Sequence, residues 1–176
     1  HYTGDFAEND KNKSTAAAMY QGGAEVIFAA GGSVGKSVMS AASEAQAAVI
    51  GVDVDQRYDS ATVITSAMKG LAASVQQVLD AYYNDTFSTF GGKTTTFNAV
   101  NDGVGLPTIV IGDEDGDAFD RFETFNKAAY DVVFGALVDG TVDPVRSFDI
   151  AEDAVLTAEL LVSELSLTNV NVTLVD

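Results

Sequence analysis

The chain has 176 residues, 47% of them hydrophobic, with 16 Gly and 2 Pro, which suits a globular α/β-sized domain with an ordinary buried core rather than a disordered segment. Its 26 acidic residues against 9 basic ones give a formal net charge of −17, a surface that repels phosphate backbones and anionic headgroups and so argues against nucleic-acid and peripheral-membrane partners. There is no Cys and the one His is His1, which removes disulfides, thiolate metal sites, Cys nucleophiles, the usual general base and the commonest zinc ligand. No catalytic residue, metal or cofactor is therefore expected, and the chain reads as a binding module rather than an enzyme.

Taken in order, residues 13–22 (KSTAAAMYQG) predict a helix stopped by Gly22 and Gly23. Residues 24–30 (AEVIFAA) form a continuous apolar run, the pattern of a strand buried on both faces. The run breaks at Gly31 and Gly32, and Ser33 is placed to cap a helix to about Glu44. Residues 47–52 (AAVIGV) repeat the buried-strand pattern and end in Asp53. Residues 63–65 predict a short strand, Ser66 a helix cap, and 67–83 a long helix. Residues 94–100 alternate like a strand before the turn Asn101, Asp102, Gly103. Further on, 109–112 (IVIG) predicts a strand, 113–117 (DEDGD) an acidic loop, 118–138 a long helix with Phe119, Phe122, Phe125, Tyr130, Val133 and Leu137 toward one side as ordinary core packing, 151–165 a helix and 170–175 a strand. No stretch approaches the roughly 18–20 apolar residues of a membrane span.

Strands alternating with helices predict an α/β fold, an open parallel sheet layered between helices on both faces. Ligands in such folds sit beyond the carboxyl ends of the strands. Gly31 to Ser33, Asp53 to Asp55 and the segment after Ser66 are then expected to share one rim.

Three motifs on that rim carry possible chemistry. Residues 30–37 (AGGSVGKS) satisfy a relaxed phosphate-loop pattern between a strand and a helix, with Lys36 and Ser37 as the phosphate and magnesium residues of a nucleotide hydrolase. Against it, only one helix and one strand separate Lys36 from Asp53, whereas the metal-holding strand of such enzymes comes later. The milder reading is that Gly31 and Gly32 let a ligand approach backbone N–H groups at a helix start. In 51–56 (GVDVDQ), Asp53 ends an otherwise apolar strand, where a carboxylate can accept two hydroxyl hydrogen bonds from a sugar diol; Asp55 and Gln56 can instead turn the backbone locally. Lys69, read as lying in the first turn of a helix, is electrostatically misplaced there unless it faces a ligand or Asp53, or is simply solvated. The acidic loop fails the calcium-loop pattern, since counting from Asp113 puts Ala118 at the glycine position and Thr124 at the glutamate position.

Gly4-Asp5-Phe6, Met19-Tyr20 followed by Gly23-Ala24, Ile27-Phe28 followed by Ala30-Gly31-Gly32, the 51–56 run, and Thr65-Ser66 with Lys69 together resemble the basic membrane protein family of bacterial substrate-binding lipoproteins, which includes purine nucleoside receptors of ABC importers. The resemblance covers about residues 2–106. It implies a type I periplasmic-binding-protein-like fold of two Rossmann-like lobes. Residues 1–105 would be the second lobe, 106–176 a C-terminal return packing with it, and the first lobe would lie outside this sequence. It also implies that Asp53 and Lys69 hold a ribose, that Gly31 and Gly32 lie at the cleft, and that Phe6 walls the pocket. The implied partners are a nucleoside-like ligand and an ABC permease, and the implied location is extracytoplasmic, on a membrane-anchored lipoprotein. A ligand-sensing regulator of the same fold is the alternative to transport.

Overall fold

The computed structural model describes residues 1–142, 144 and 157–164. Its elements alternate: α1 (Asp10–Gln21), β1 (Val26–Phe28), α2 (Val34–Ala45), β2 (Ala48–Asp53), β3 (Val63–Lys69), α3 (Leu71–Tyr83), β4 (Val104–Gly105), α4 (Lys127–Val138) and α5 (Ala158–Glu164). One four-stranded sheet has the order β1-β2-β3-β4. The first three strands are parallel and β4 runs antiparallel to β3, pairing Lys69 with Val104 and Met68 with Gly105. This is an α/β fold with a parallel-dominated open sheet, Rossmann-like as the βα rhythm predicts.

Helices α1 and α2 pack together against the sheet face that carries Val49 and Val63. The core joins Ala16 and Tyr20 of α1, Val34, Val38, Met39, Ala41 and Ala42 of α2, and those two valines, both fully buried. Small residues along α2 let the helix lie close to the strands. Tyr20 reaches across to donate its hydroxyl to the Ala48 carbonyl at 2.9 Å, and burial pushes its pKa up to about 12. Lys13 and Glu44 pair at 2.6 Å between the outer sides of the two helices.

Several boundaries differ from the sequence expectations, each for a local reason. Helix α1 starts at Asp10 because Asn9 caps it, its side chain accepting the Asn12 N–H at 2.8 Å. Ser33 precedes α2 but makes no side-chain cap. Strand β3 continues through Lys69: Ser66 is no helix cap but a fully buried strand residue, and Gly70, not Ser66, opens the helix. Gly70 is needed there because a Cβ would collide with the Asp102 carbonyl, and its N–H donates to the Gly103 carbonyl at 2.9 Å. Residues 94–100 are not a strand. Asn98 and Asn101 cap each other's backbone to form a 3₁₀ turn at Ala99–Asn101. Residues 109–112 make only an isolated bridge, Val110 with Asp113. The long helix expected from Ala118 begins at Lys127, capped by Asn126, while Phe119, Phe122 and Phe125 cluster in the turns before it. Ala158–Glu164 falls within the helix expected at 151–165; the strand expected at 170–175 lies outside the described residues.

Helix α3 has an unusual arrangement. Ala73, Ser74, Gln77, Val78 and Ala81 are its less accessible positions, while Leu71, Val75, Leu79 and Tyr82 are exposed. Gln77 fixes the inner side by donating to the Asn101 carbonyl at 2.9 Å.

Candidate ligand-binding site

The strand ends deliver their next residues to a common edge, and a cavity of about 730 Å³ opens there. Strand β1 contributes Phe28, the loop after it Ala30, Gly31 and Gly32; β2 contributes Val52 and Asp53; β3 contributes Ala67, Met68 and Lys69. Phe6 enters from the N-terminal segment and lies over Gly32, where an added Cβ would sit 3.7 Å from the Phe6 Cβ. The reversal into β4 brings Val104, Gly105 and Leu106 alongside, and Tyr130, Phe134 and Leu137 of α4 form the far wall. Tyr130 is held in place by its hydroxyl, which accepts the Leu106 N–H at 3.2 Å.

All five residues singled out in the sequence, Phe6, Gly31, Gly32, Asp53 and Lys69, line this one cavity. Asp53 and Lys69 form an ion pair at 2.6 Å. Lys69 is placed there by the end of a strand, immediately before the helix opening at Gly70, which corrects its expected position in the first turn of a helix. The glycines divide their roles. Gly31 already donates its N–H to the Ala29 carbonyl at 3.1 Å, which leaves the N–H of Gly32 as the donor of the pair; Gly32 has φ +58°, a conformation that suits glycine.

The phosphate-loop residues are elsewhere. Ser37 is buried, and its hydroxyl accepts the Asn9 N–H at 3.0 Å and donates to the Asn9 carbonyl at 3.1 Å, tying the start of α1 to α2. Lys36 lines a separate depression with Ser40, Glu44, Asp59 and Ser60. The motif's two chemical side chains therefore do not meet at the strand ends. Among the described residues no group of three or more His, Cys, Asp or Glu is placed to hold a metal ion.

Asp55 and Gln56 take the local roles left open for them, and Arg57 adds one that sequence reasoning missed. Asp55 caps a 3₁₀ turn at Gln56–Tyr58 and grips Arg57 through both carboxylate oxygens, at 2.9 Å to Nε and 2.7 Å to Nη2. Burial pushes the Asp55 carboxyl up, but the hydrogen bonds and charge of Arg57 outweigh it and hold the group below its ordinary range. The same guanidinium, almost wholly buried, donates to the carbonyls of Ala118 at 2.7 Å and Ile109 at 2.9 Å. It thereby fastens the loop beyond Leu106 to the end of β2.

A family model described as "ABC transporter substrate-binding protein PnrA-like" matches residues 1–134. The chain belongs to this family, the Bmp family. Among curated proteins, Bmp-family similarity extends to the ABC transporter nucleoside-binding protein BmpA of Lactococcus lactis, 34% identical over 60% of this chain and 34% of that protein. It extends also to basic membrane protein D of Borreliella burgdorferi, 40% identical over 60% of this chain and 31% of that protein. The match thus spans about a third of the length of either relative. Two solved solute-binding proteins of ABC transporter systems share the fold. The one from Aeropyrum pernix has a TM-score of 0.61 at 20% identity, over 87% of this chain and 48% of that one. The one from Conexibacter woesei has a TM-score of 0.59 at 24% identity, over 82% and 45%.

The large side chains of the cavity that sequence reasoning did not single out for ligand binding include two groups. Phe28 and Met68 sit at strand ends, so the rule that found Asp53 also reaches them. Tyr130, Phe134 and Leu137 carried no such signal, because an aromatic stripe on a helix looks the same whether it faces a core or a crevice.

Proposed function

We propose that this chain is a ligand-gripping lobe of the solute-binding component of an ABC importer, and that its ligand is a nucleoside or a similar ribosylated small molecule. The observation that carries the reading is one carboxylate and one ammonium, 2.6 Å apart, set at the edge of an otherwise apolar and aromatic cavity. Asp53 accepts two hydroxyl hydrogen bonds from the ribose, Lys69 donates to the sugar oxygens, and Gly32 offers its backbone N–H. The rings of Phe6 and Phe28, 76% and 55% exposed, offer flat faces to a base. The cavity lies within the ~300–1,000 Å³ range of small-molecule pockets. A neutral nucleoside also escapes the repulsion that a net charge of −17 exerts on a nucleotide.

No bond is made or broken in this role. The ligand is held between this lobe, residues 1–105 with the 106–176 return, and a facing lobe; closure carries it to a membrane permease, the protein being an extracytoplasmic, lipid-anchored receptor. The name of the Lactococcus relative, a nucleoside-binding protein, supports the ligand class.

The test is an NMR titration of the 176-residue chain with inosine, guanosine and adenosine, which registers weak binding by a single lobe. Saturable shifts at the Gly32 and Asp53 amides with at least one nucleoside, lost in Asp53→Ala, are expected. Silence with all three nucleosides, or shifts indifferent to Asp53→Ala, would remove this ligand class.

A further inference from the structure

Asp53 closes β2 without a strand's backbone. Its φ is +69°, and the Val54 N–H bonds back to the Val52 carbonyl at 2.8 Å. A hydrogen bond from residue i+2 to residue i around a central residue of positive φ is a γ-turn of the rare, strained hand. Side chains two apart on a strand share a face. An extended Asp53 would therefore follow Val49 and Gly51, both buried, toward the core. The turn is what redirects the carboxylate to Lys69 and the cavity.

Strain of this kind persists only where neighbours enforce it. Here the enforcing contacts are specific. The Gln56 side chain curls back so that its Oε1 accepts the Val52 N–H at 2.8 Å, fixing the peptide before the turn. The Gln56 backbone N–H donates to the Ser66 Oγ at 3.0 Å, and Ser66 is fully buried in β3, the strand that also carries Lys69. Gly51 makes room: a Cβ there would stand 2.7 Å from both the Gln56 Oε1 and the Ser66 Oγ.

We infer that Gln56 and Ser66 are positioning residues, a latch between β2 and β3 that holds Asp53 in its strained turn and so aims the carboxylate at the ligand. The inference rests on the ligand-gripping role proposed for Asp53, but its physical core, an enforced positive-φ turn, is testable without ligand.

Two measurements on the 176-residue chain decide it. In thermal melts, Asp53→Gly melts above Asp53→Ala by roughly 2–4 °C, because only glycine rests easily at this φ; in an extended strand the order reverses. In a Gln56→Ala background the gap between the two closes, since the turn is no longer enforced. In guanosine titrations, Gln56→Ala weakens binding about tenfold with Asp53 intact, and Gln56→Glu, which keeps the acceptor for the Val52 N–H, restores most of it. Asp53→Ala melting level with or above Asp53→Gly overturns the strained turn. A gap that survives Gln56→Ala, or guanosine binding that Gln56→Ala leaves untouched, overturns the latch. If the unaltered chain ignores inosine and adenosine as well as guanosine, the nucleoside reading falls, while the melting comparison still decides the latch.

Discussion

Two aspartate–cation pairs lie within a few residues of each other and do opposite work. Asp53 and Lys69 meet at 2.6 Å with side chains 45% and 63% exposed, so solvent screens the attraction and the pair adds little to folding. In the proposed role a ligand shares the pair. Lys69→Met should therefore leave the melting temperature within about 2 °C of the parent, yet weaken nucleoside binding roughly tenfold; a thermal scan beside the same titration checks both halves. Asp55 and Arg57 are the reverse case, 13% and 5% exposed. Removing the Arg57 side chain leaves a mostly buried carboxylate without its counter-charge and two carbonyls without their donor. The Arg57→Ala chain should lose about 3 kcal/mol in urea unfolding. Arg57→Lys should recover little of it, because a point charge cannot span both carboxylate oxygens and the two carbonyls. The folded-state pKa of Asp55 is depressed, so its contribution is present above the unfolded carboxylate pKa and fades as pH falls through the folded one. The stability gap between parent and Arg57→Ala should accordingly narrow in acid, below the ordinary carboxylate range.

At the level of elements, what the sequence makes legible depends on whether local pattern or distant contact decides the outcome. β1 and β2 stand out because each writes itself as an unbroken apolar run, although β1 is not buried on both faces as that pattern predicts: it lies at the end of the described sheet and leaves Val26 and Phe28 exposed. The same pattern ends β3 too early, at residue 65, because Ser66 and Lys69 interrupt the apolar run. Ser66 belongs to the strand through its pairing with Gly51 of β2, and its buried hydroxyl is satisfied by a backbone donor ten residues away, at Gln56. The stretch before α4 misleads in the opposite direction. Phe119, Phe122 and Phe125 are spaced as on a helix face, but they pack on one another, at 5.3–6.1 Å between ring centres, in successive turns. Asn126 then starts the helix where a side-chain acceptor becomes available to the Ala129 N–H. Arg57 was invisible as a fastener, since its carbonyl partners lie 52 and 61 residues along the chain.

For the molecule as a whole, the charge and the cavity are the governing facts. A net charge of −17 on one chain works against compactness by self-repulsion. Raising sodium chloride from low to high concentration should therefore raise the melting temperature by several degrees, measured by circular dichroism, with no change in secondary structure. The floor of the cavity was legible in advance, because strand ends in an open α/β sheet converge by topology alone. Its far wall was not, because α4 reaches the rim only through the path that the chain takes after β3. That path runs through α3 and returns to the sheet at β4, two residues long and the sheet's lone member running against the rest among the described residues. The consequence is mechanical. Floor and wall are stitched by the bonds of that short seam, the Gly70–Gly103 bond beside it, the Leu106 N–H on the Tyr130 hydroxyl, and the grips of Arg57 and Arg121 between the strands and the loop before α4, so whatever wedges between them loads these fastenings first.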